Sequence, residues 1–208
     1  MTEPWPSPTI PASDATSRVA ATPRVRDAGR WQGDRMTGPD GIRLLLLADT
    51  HLPRRARDLP DAVWSEVERA DVVVHAGDWV EVDLLDRLEA RARRVLGCWG
   101  NNDGPELRAR LPEVARATLG GVRVAVVHQT GAKERRGARM RAAFPDVDLL
   151  VFGHSHIPWD TAHSGLRLLN PGSPTDRRQQ PHCTYMTARL HDGVIEDVTL
   201  HRLAPRTR

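Results

Sequence analysis

The sequence predicts an α/β domain with mixed sheets, and three observations carry that expectation. From Ile42 onward, short apolar runs recur, each ending in polar residues and usually followed by a helical stretch, which is the alternation of an α/β architecture. Two-residue turn signals, Gly120-Gly121 and Asp192-Gly193, sit between β-prone runs, so antiparallel hairpins interrupt the parallel order. The chain of 208 residues is 39% hydrophobic and 27% charged, enough to bury the core of one domain.

The elements follow in order. A strand is expected at Arg43–Ala48, a helix at Asp61–Ala70, a strand at Val72–Ala76, a helix at Glu81–Arg93 and a strand at Arg94–Cys98. The helix Pro105–Leu111 opens with proline, which loses nothing in a first turn, where no N–H partner exists anyway. The strand Val122–Val127, a weaker helix Lys133–Phe144 and the strands Leu149–Phe152 and Leu166–Leu169 come next, and a hairpin of Thr184–Leu190 with Val194–Leu200 closes the fold. Residues 1–41, rich in Pro, Ser, Thr, Ala and Arg without a sustained period, read as a disordered tail. Residues 42–203 read as the domain and 204–208 as a basic C-terminal tail, with Met36 as an alternative natural start.

Composition narrows the function. No apolar run reaches the roughly 20 residues of a membrane span, and the N-terminus lacks the apolar centre of a signal peptide. The two cysteines, Cys98 and Cys183, make no disulfide framework or C-x-x-C pair, so a cytoplasmic protein is expected. The pI of about 9.5 suggests nucleic acid until the charge is located. Residues 42–200 hold 22 basic and 22 acidic residues, and the excess of +3 lies in the last eight. With only two Phe and one Tyr for stacking, neither nucleic acid nor membrane is expected as a partner.

Where each strand candidate ends, metal-binding residue types begin: Asp49-Thr50-His51, Gly77-Asp78, Gly100-Asn101-Asn102-Asp103, His128 and Gly153-His154-Ser155-His156. Loops at the C-terminal edges of strands in α/β sheets converge over one crevice. Two carboxylates, one carboxamide and four imidazoles supply seven O and N donors and no sulfur, too many for one tetrahedral zinc, so two cations are implied. In Asp49-x-His51 and His154-x-His156, an extended segment would keep both side chains on one side. Gly77, Gly100 and Gly153 are expected to permit the tight turns into the site.

This ordered set, D-x-H, G-D, G-N-x-D, H and G-H-x-H, resembles the calcineurin-like metallophosphoesterase superfamily, and more closely its small bacterial and archaeal phosphodiesterases of the YfcE type. The resemblance spans Ile42 to Leu200. It implies a four-layer αββα sandwich, two mixed sheets flanked by helices. It further implies two divalent metal ions, manganese first with zinc, iron or nickel as alternatives. Asp49, His51 and His156 match the ligands of one ion, Asn101, His128 and His154 those of the other, and Asp78 the carboxylate that bridges them. Asp78, Asn101 and His154 are the implied catalytic residues. The implied reaction is hydrolysis of phosphodiester bonds by metal-bridged hydroxide attack on phosphorus, on a small phosphoester substrate. Two alternatives stay open: a phosphomonoesterase on the same site, and a catalytically weak metal-binding scaffold like the retromer subunit of this fold. The C-terminal hairpin offers an edge suited to a homo-oligomer.

Two positions depart from the pattern. Asn102 stands where many relatives have a histidine able to protonate the leaving group, and an amide is no general acid. Gln129 follows His128 where relatives usually have glycine. Among the remaining candidates, Asn170-Pro171-Gly172-Ser173 is expected at the pocket rim, and Asp103 either as a hydrogen-bond acceptor behind the ligands or, favoured, as the N-cap of the Pro105 helix. His75, Trp64, Trp79 and Cys98 are expected in the core, and Arg54, Arg55 and Arg57 on a solvated surface. His163 and His182 lie in loops, and His191 and His201 on the surface of the last hairpin.

Overall fold

The computed structural model describes residues 41–204, so the tail read over residues 1–41, the Met36 start and the basic C-terminal tail fall outside it except at Gly41 and Ala204. Ten strands and four helices run in the order β1 (Ile42–Leu47), α1 (Asp61–Arg69), β2 (Val72–Ala76), α2 (Val82–Arg91), β3 (Val95–Cys98), α3 (Pro105–Arg110), β4 (Val114–Leu119), β5 (Val122–Val127), α4 (Arg136–Ala143), β6 (Leu149–Phe152), β7 (Trp159–His163), β8 (Leu166–Asn170), β9 (Thr184–His191) and β10 (Val194–Arg202). They build two five-stranded sheets, ordered β10-β9-β1-β2-β3 and β4-β5-β6-β8-β7. Both are mixed: β1 runs parallel to β2 and antiparallel to β9, while β6 runs parallel to β5 and β8 and β4 antiparallel to β5.

The alternation of side chains along a strand sorts the apolar residues into layers. In β1, Leu44 and Leu46 join Val74, Val124, Val126, Leu149 and Val151 between the two sheets. Their neighbours Leu45 and Leu47 face the other way, onto Val63, Trp64 and Val67 of α1 and Leu84, Leu85 and Leu88 of α2. On the second sheet, Ala125, Leu150 and Phe152 turn outward, against Met140 of α4 and the adjoining Phe144. Three apolar seams thus separate four layers, helices, sheet, sheet and helix, which is the αββα sandwich. Because β1 is covered on both faces, it reads as an unbroken apolar run.

Two strands escape the pattern reading. β4, Val-Ala-Arg-Ala-Thr-Leu, is poor in β-branched and aromatic residues, and β7 presents mostly exposed polar positions. Each is held by a ladder to its hairpin partner, β5 or β8, so pairing decides what propensity does not. α4 begins at Arg136, later than expected, and buries none of its residues.

Leu46 is fully buried in the seam between the sheets. Leu46→Ala is expected to cost ~3 kcal/mol and to lower the melting temperature by roughly 6–12 °C, read by thermal denaturation.

Candidate metal centre

All seven predicted ligands meet at the C-terminal ends of β1, β2, β3, β5 and β6. Ligand atoms of Asp49, His51 and His156 lie mutually within 4.8 Å, as do those of Asp49, Asp78 and His128. Asp78 is flanked on both sides, with His51 Nε2 3.5 Å from Oδ2 and His128 Nε2 3.4 Å from Oδ1. Asn101 Oδ1 sits 2.9 Å from His128 Nε2 and 3.0 Å from His154 Nδ1, which draws the last two residues in. The floor is buried, whereas Asn101 and His154 are exposed at the mouth.

The backbone achieves this convergence by a route other than the expected one. Asp49, His51, Asp78, His154 and His156 all have positive φ, between 47° and 70°, so in D-x-H and H-x-H both outer residues are left-handed and neither motif is an extended segment. Non-glycine residues seldom adopt this region, and its concentration here is the kind of strain that marks functional sites. Gly77, at φ 82°, makes the expected turn. Gly100 serves differently: a Cβ there would land on the Asp78 backbone and carboxylate, so the residue is small to let two loops touch.

Asp103 is not the helix cap it was expected to be. The N-cap of α3 is Gly104, without a side-chain bond. The buried Asp103 carboxylate instead accepts backbone N–H groups from Asp78 (3.1 Å), Val80 (2.7 Å) and Gly100 (2.7 Å), tying the loop after β2 to the loop after β3. Burial raises its pKa, against the lowering effect of the Val80 and Gly100 N–H groups. The Asn170–Ser173 segment is likewise buried support rather than rim. Asn170 Nδ2 donates to the Gly153 carbonyl, and Ser173 Oγ donates to the Asp49 carbonyl.

Two histidines have their tautomers set from behind. His128 Nδ1 donates to the Ala76 carbonyl at 2.8 Å and His156 Nδ1 to the Asp176 carbonyl at 2.6 Å, so each turns its Nε2 into the site. There His156 Nε2 meets His51 Nε2 at 3.2 Å, one nitrogen lone pair facing another ring. Burial lowers the pKa of both, His156 to about 4. Burial also pushes the Asp49 carboxyl up to about 8, and its buried Oδ2 has no hydrogen-bond partner. Burial would raise Asp78 as well, but hydrogen bonding and charge from His128, with the N–H groups of Asn102, hold it well below the usual carboxylate range. An orphaned buried carboxylate oxygen, two imidazole Nε2 atoms 3.2 Å apart and seven O and N donors form a set that divalent cations fit.

The neighbours separate cleanly. Asn102 donates its backbone N–H and its amide to the two Asp78 oxygens, at 2.9 and 2.6 Å. Gln129 reaches into the mouth, its amide donating to Asn101 Oδ1 at 3.0 Å. His75 is fully buried, stacked on Trp79 at 3.6 Å between centroids, and Trp64 and Cys98 are also core. Arg54, Arg55 and Arg57 are exposed, with Arg55 paired to Asp176 at 3.3 Å. His163 ends the exposed strand β7, His191 pairs with Asp192, and His201 stacks on Tyr185.

The Asp103 clamp gives a direct test. Asp103→Ala orphans three buried N–H groups and is expected to cost about 2–5 kcal/mol, together with loss of metal content measured by elemental analysis.

Comparison with known proteins identifies the family and the fold. The calcineurin-like phosphoesterase superfamily domain matches residues 42–193. A probable metallophosphoesterase of Methanocaldococcus jannaschii is 36% identical over 131 residues, 62% of this chain and 67% of its own. A Thermotoga maritima protein solved by NMR superposes with a TM-score of 0.63 at 31% identity, over 78% of this chain and 99% of its own. Zinc-complexed Vps29 from Entamoeba histolytica, at 22% identity and TM-score 0.64 over 78% and 98% of the two chains, shares the fold. With residues 42–193, most of its length, matched by that domain, the chain belongs to the calcineurin-like phosphoesterase superfamily.

Proposed function

We propose that the protein is a metal-dependent phosphodiesterase acting on small phosphoesters, with Asp49, His51 and His156 holding one divalent cation, Asn101, His128 and His154 a second, and Asp78 between them. The observation that supports this most is the buried Asp49 Oδ2, which has no hydrogen-bond partner, among imidazoles whose Nε2 atoms carbonyls behind His128 and His156 turn toward the same space. Bound there, two divalent ions, manganese first and zinc, iron or nickel as alternatives, would neutralise phosphoryl charge and lower the pKa of water. The domain is taken to be residues 42–203, and the free cysteines fit a reducing cytoplasm.

The chain's own groups have separable tasks. Asp78 presents one oxygen to each side of the site, and Asn102 keeps it ionised and in place. Committed to Asp78, Asn102 has no proton to give, so good leaving groups such as nitrophenolate are favoured over alkyl alcohols. Asn101 and His154, exposed at the mouth, are the groups an incoming ester meets first.

Metal-stripped protein refilled with Mn²⁺ is expected to hydrolyse bis(p-nitrophenyl) phosphate faster than p-nitrophenyl phosphate, and Asp78→Asn to lower that rate by about 100-fold or more. Faster turnover of the monoester would make it a phosphomonoesterase, and two bound metals with no turnover of either would favour a scaffold.

Proton linkage provides a second test. Asp49, pushed up to about 8, is protonated in the metal-free fold at pH 7, whereas unfolded Asp49 ionises near 3.8. The metal-free fold therefore loses stability from this group as pH rises toward 8, and a cation must displace the proton below that pH. The melting-temperature gain on metal loading is expected to be larger at pH 8 than at pH 6. Saturation at about 100 times Kd is worth about 2.7 kcal/mol.

A further inference from the structure

The loop between β8 and β9 is fastened to the floor of the metal centre at successive points. Ser173 Oγ donates to the Asp49 carbonyl at 2.7 Å and Thr175 Oγ1 to the Thr50 carbonyl at 2.6 Å. The Asp176 carbonyl takes the His156 Nδ1 proton, and the Asp176 carboxylate pairs with Arg55. Its backbone N–H closes back on Ser173 Oγ at 2.9 Å. Two residues further on, Arg178 adopts a left-handed φ of 47°, donates its N–H to Asp176 Oδ1, and lays its guanidinium against the His154 carbonyl at 3.4 Å.

That last contact is long, and it uses one of the five guanidinium N–H groups. Among the described residues no carboxylate lies within ion-pair distance of Arg178, and Asp176 is engaged by Arg55. The contact with the His154 carbonyl puts the guanidinium beside the centre, near enough for its charge to act on Asp49, His51, His154 and His156. A cation held beside a site shaped for two more cations is electrostatically costly unless an anion shares the space. The guanidinium fork matches two phosphoryl oxygens in plane. The other arginines near the mouth lack this placement: Arg177 donates to the Gln180 carbonyl, and Arg54 and Arg57 are exposed without a bond to any residue of the centre.

We propose that Arg178 is a substrate-binding residue, its guanidinium taking non-bridging phosphoryl oxygens of the ester at the mouth of the centre, on a bracket that the floor itself holds rigid. This rests on the phosphoesterase reading above, and its test is arranged so that the two can fail separately.

The full-length, Mn²⁺-loaded protein is compared with Arg178→Gln, Arg178→Lys and, as a surface control, Arg54→Gln. Metal content, inorganic phosphate binding by calorimetry, and KM and kcat for bis(p-nitrophenyl) phosphate are measured on each. Arg178→Gln is expected to weaken phosphate binding about 10- to 100-fold and raise KM by a similar factor, with kcat within about threefold and metal content unchanged. Arg178→Lys should recover part of the affinity, keeping the charge without the fork, and Arg54→Gln should match the wild type. Unchanged phosphate affinity in Arg178→Gln overturns the proposal, and so does loss of bound metal in that variant, which would make Arg178 a support for His154. If no ester is turned over by any form, the phosphoesterase reading fails, and the phosphate titration still decides the role of Arg178.

Discussion

Two carboxylates, Asp49 and Asp78, sit with no solvent exposure under the ends of the central strands, and much of the surrounding structure exists to make that tolerable. Burying a carboxylate is costly unless charge and hydrogen bonds compensate it. The two are compensated unequally. Asp78 has His51, His128 and both donors of Asn102, and stays ionised. Asp49 accepts the His154 N–H on one oxygen and nothing on the other, and its carboxyl is pushed toward the protonated form. A polypeptide that leaves one buried carboxylate oxygen bare, beside imidazoles turned inward, is shaped around positive charge that it does not itself supply.

The fold meets this constraint by fixing the loops from behind. Asp103 gathers three N–H groups from two loops, one of them belonging to Val80, whose positive φ is costly for a β-branched residue. The Ala76 and Asp176 carbonyls fix two imidazoles, and Ser173 and Thr175 hold the carbonyls of Asp49 and Thr50. Five of the seven candidate ligands stand in left-handed backbone, which could not persist without such bracing. The sheets supply the rigid base, because Leu44, Leu46 and Val74 in the middle seam and Leu45 and Leu47 in the outer one lock the strands that end at the centre.

Asn102 and Gln129 act at the mouth. Asn102 has become a brace for Asp78, and Gln129 extends an amide over Asn101. Together they leave the floor intact and change what an arriving ester encounters. Arg178 stands on the same rim, so polarity and charge there are set by residues from three different loops.

The order of most elements, the apolar strands and the convergence of the seven polar residues were legible in the sequence, because burial writes apolar runs and the polar residues that end them gather at one edge of the sheets. The strands β4 and β7 were not, since ladders to β5 and β8 hold them without a pattern of their own. The sequence left Asp103 between a helix cap, which it favoured, and an acceptor behind the site, and put the Asn170–Ser173 segment at the rim; tertiary contacts made both into buried supports. The D-x-H and H-x-H pairs were expected to converge along extended chain, and they do so through left-handed backbone that only the surrounding bonds sustain. Which nitrogen of a histidine faces the centre depends on a carbonyl 20 or 52 residues away. A backbone carbonyl is the same group at every residue and leaves no mark in a sequence, so that choice belongs to the folded chain alone.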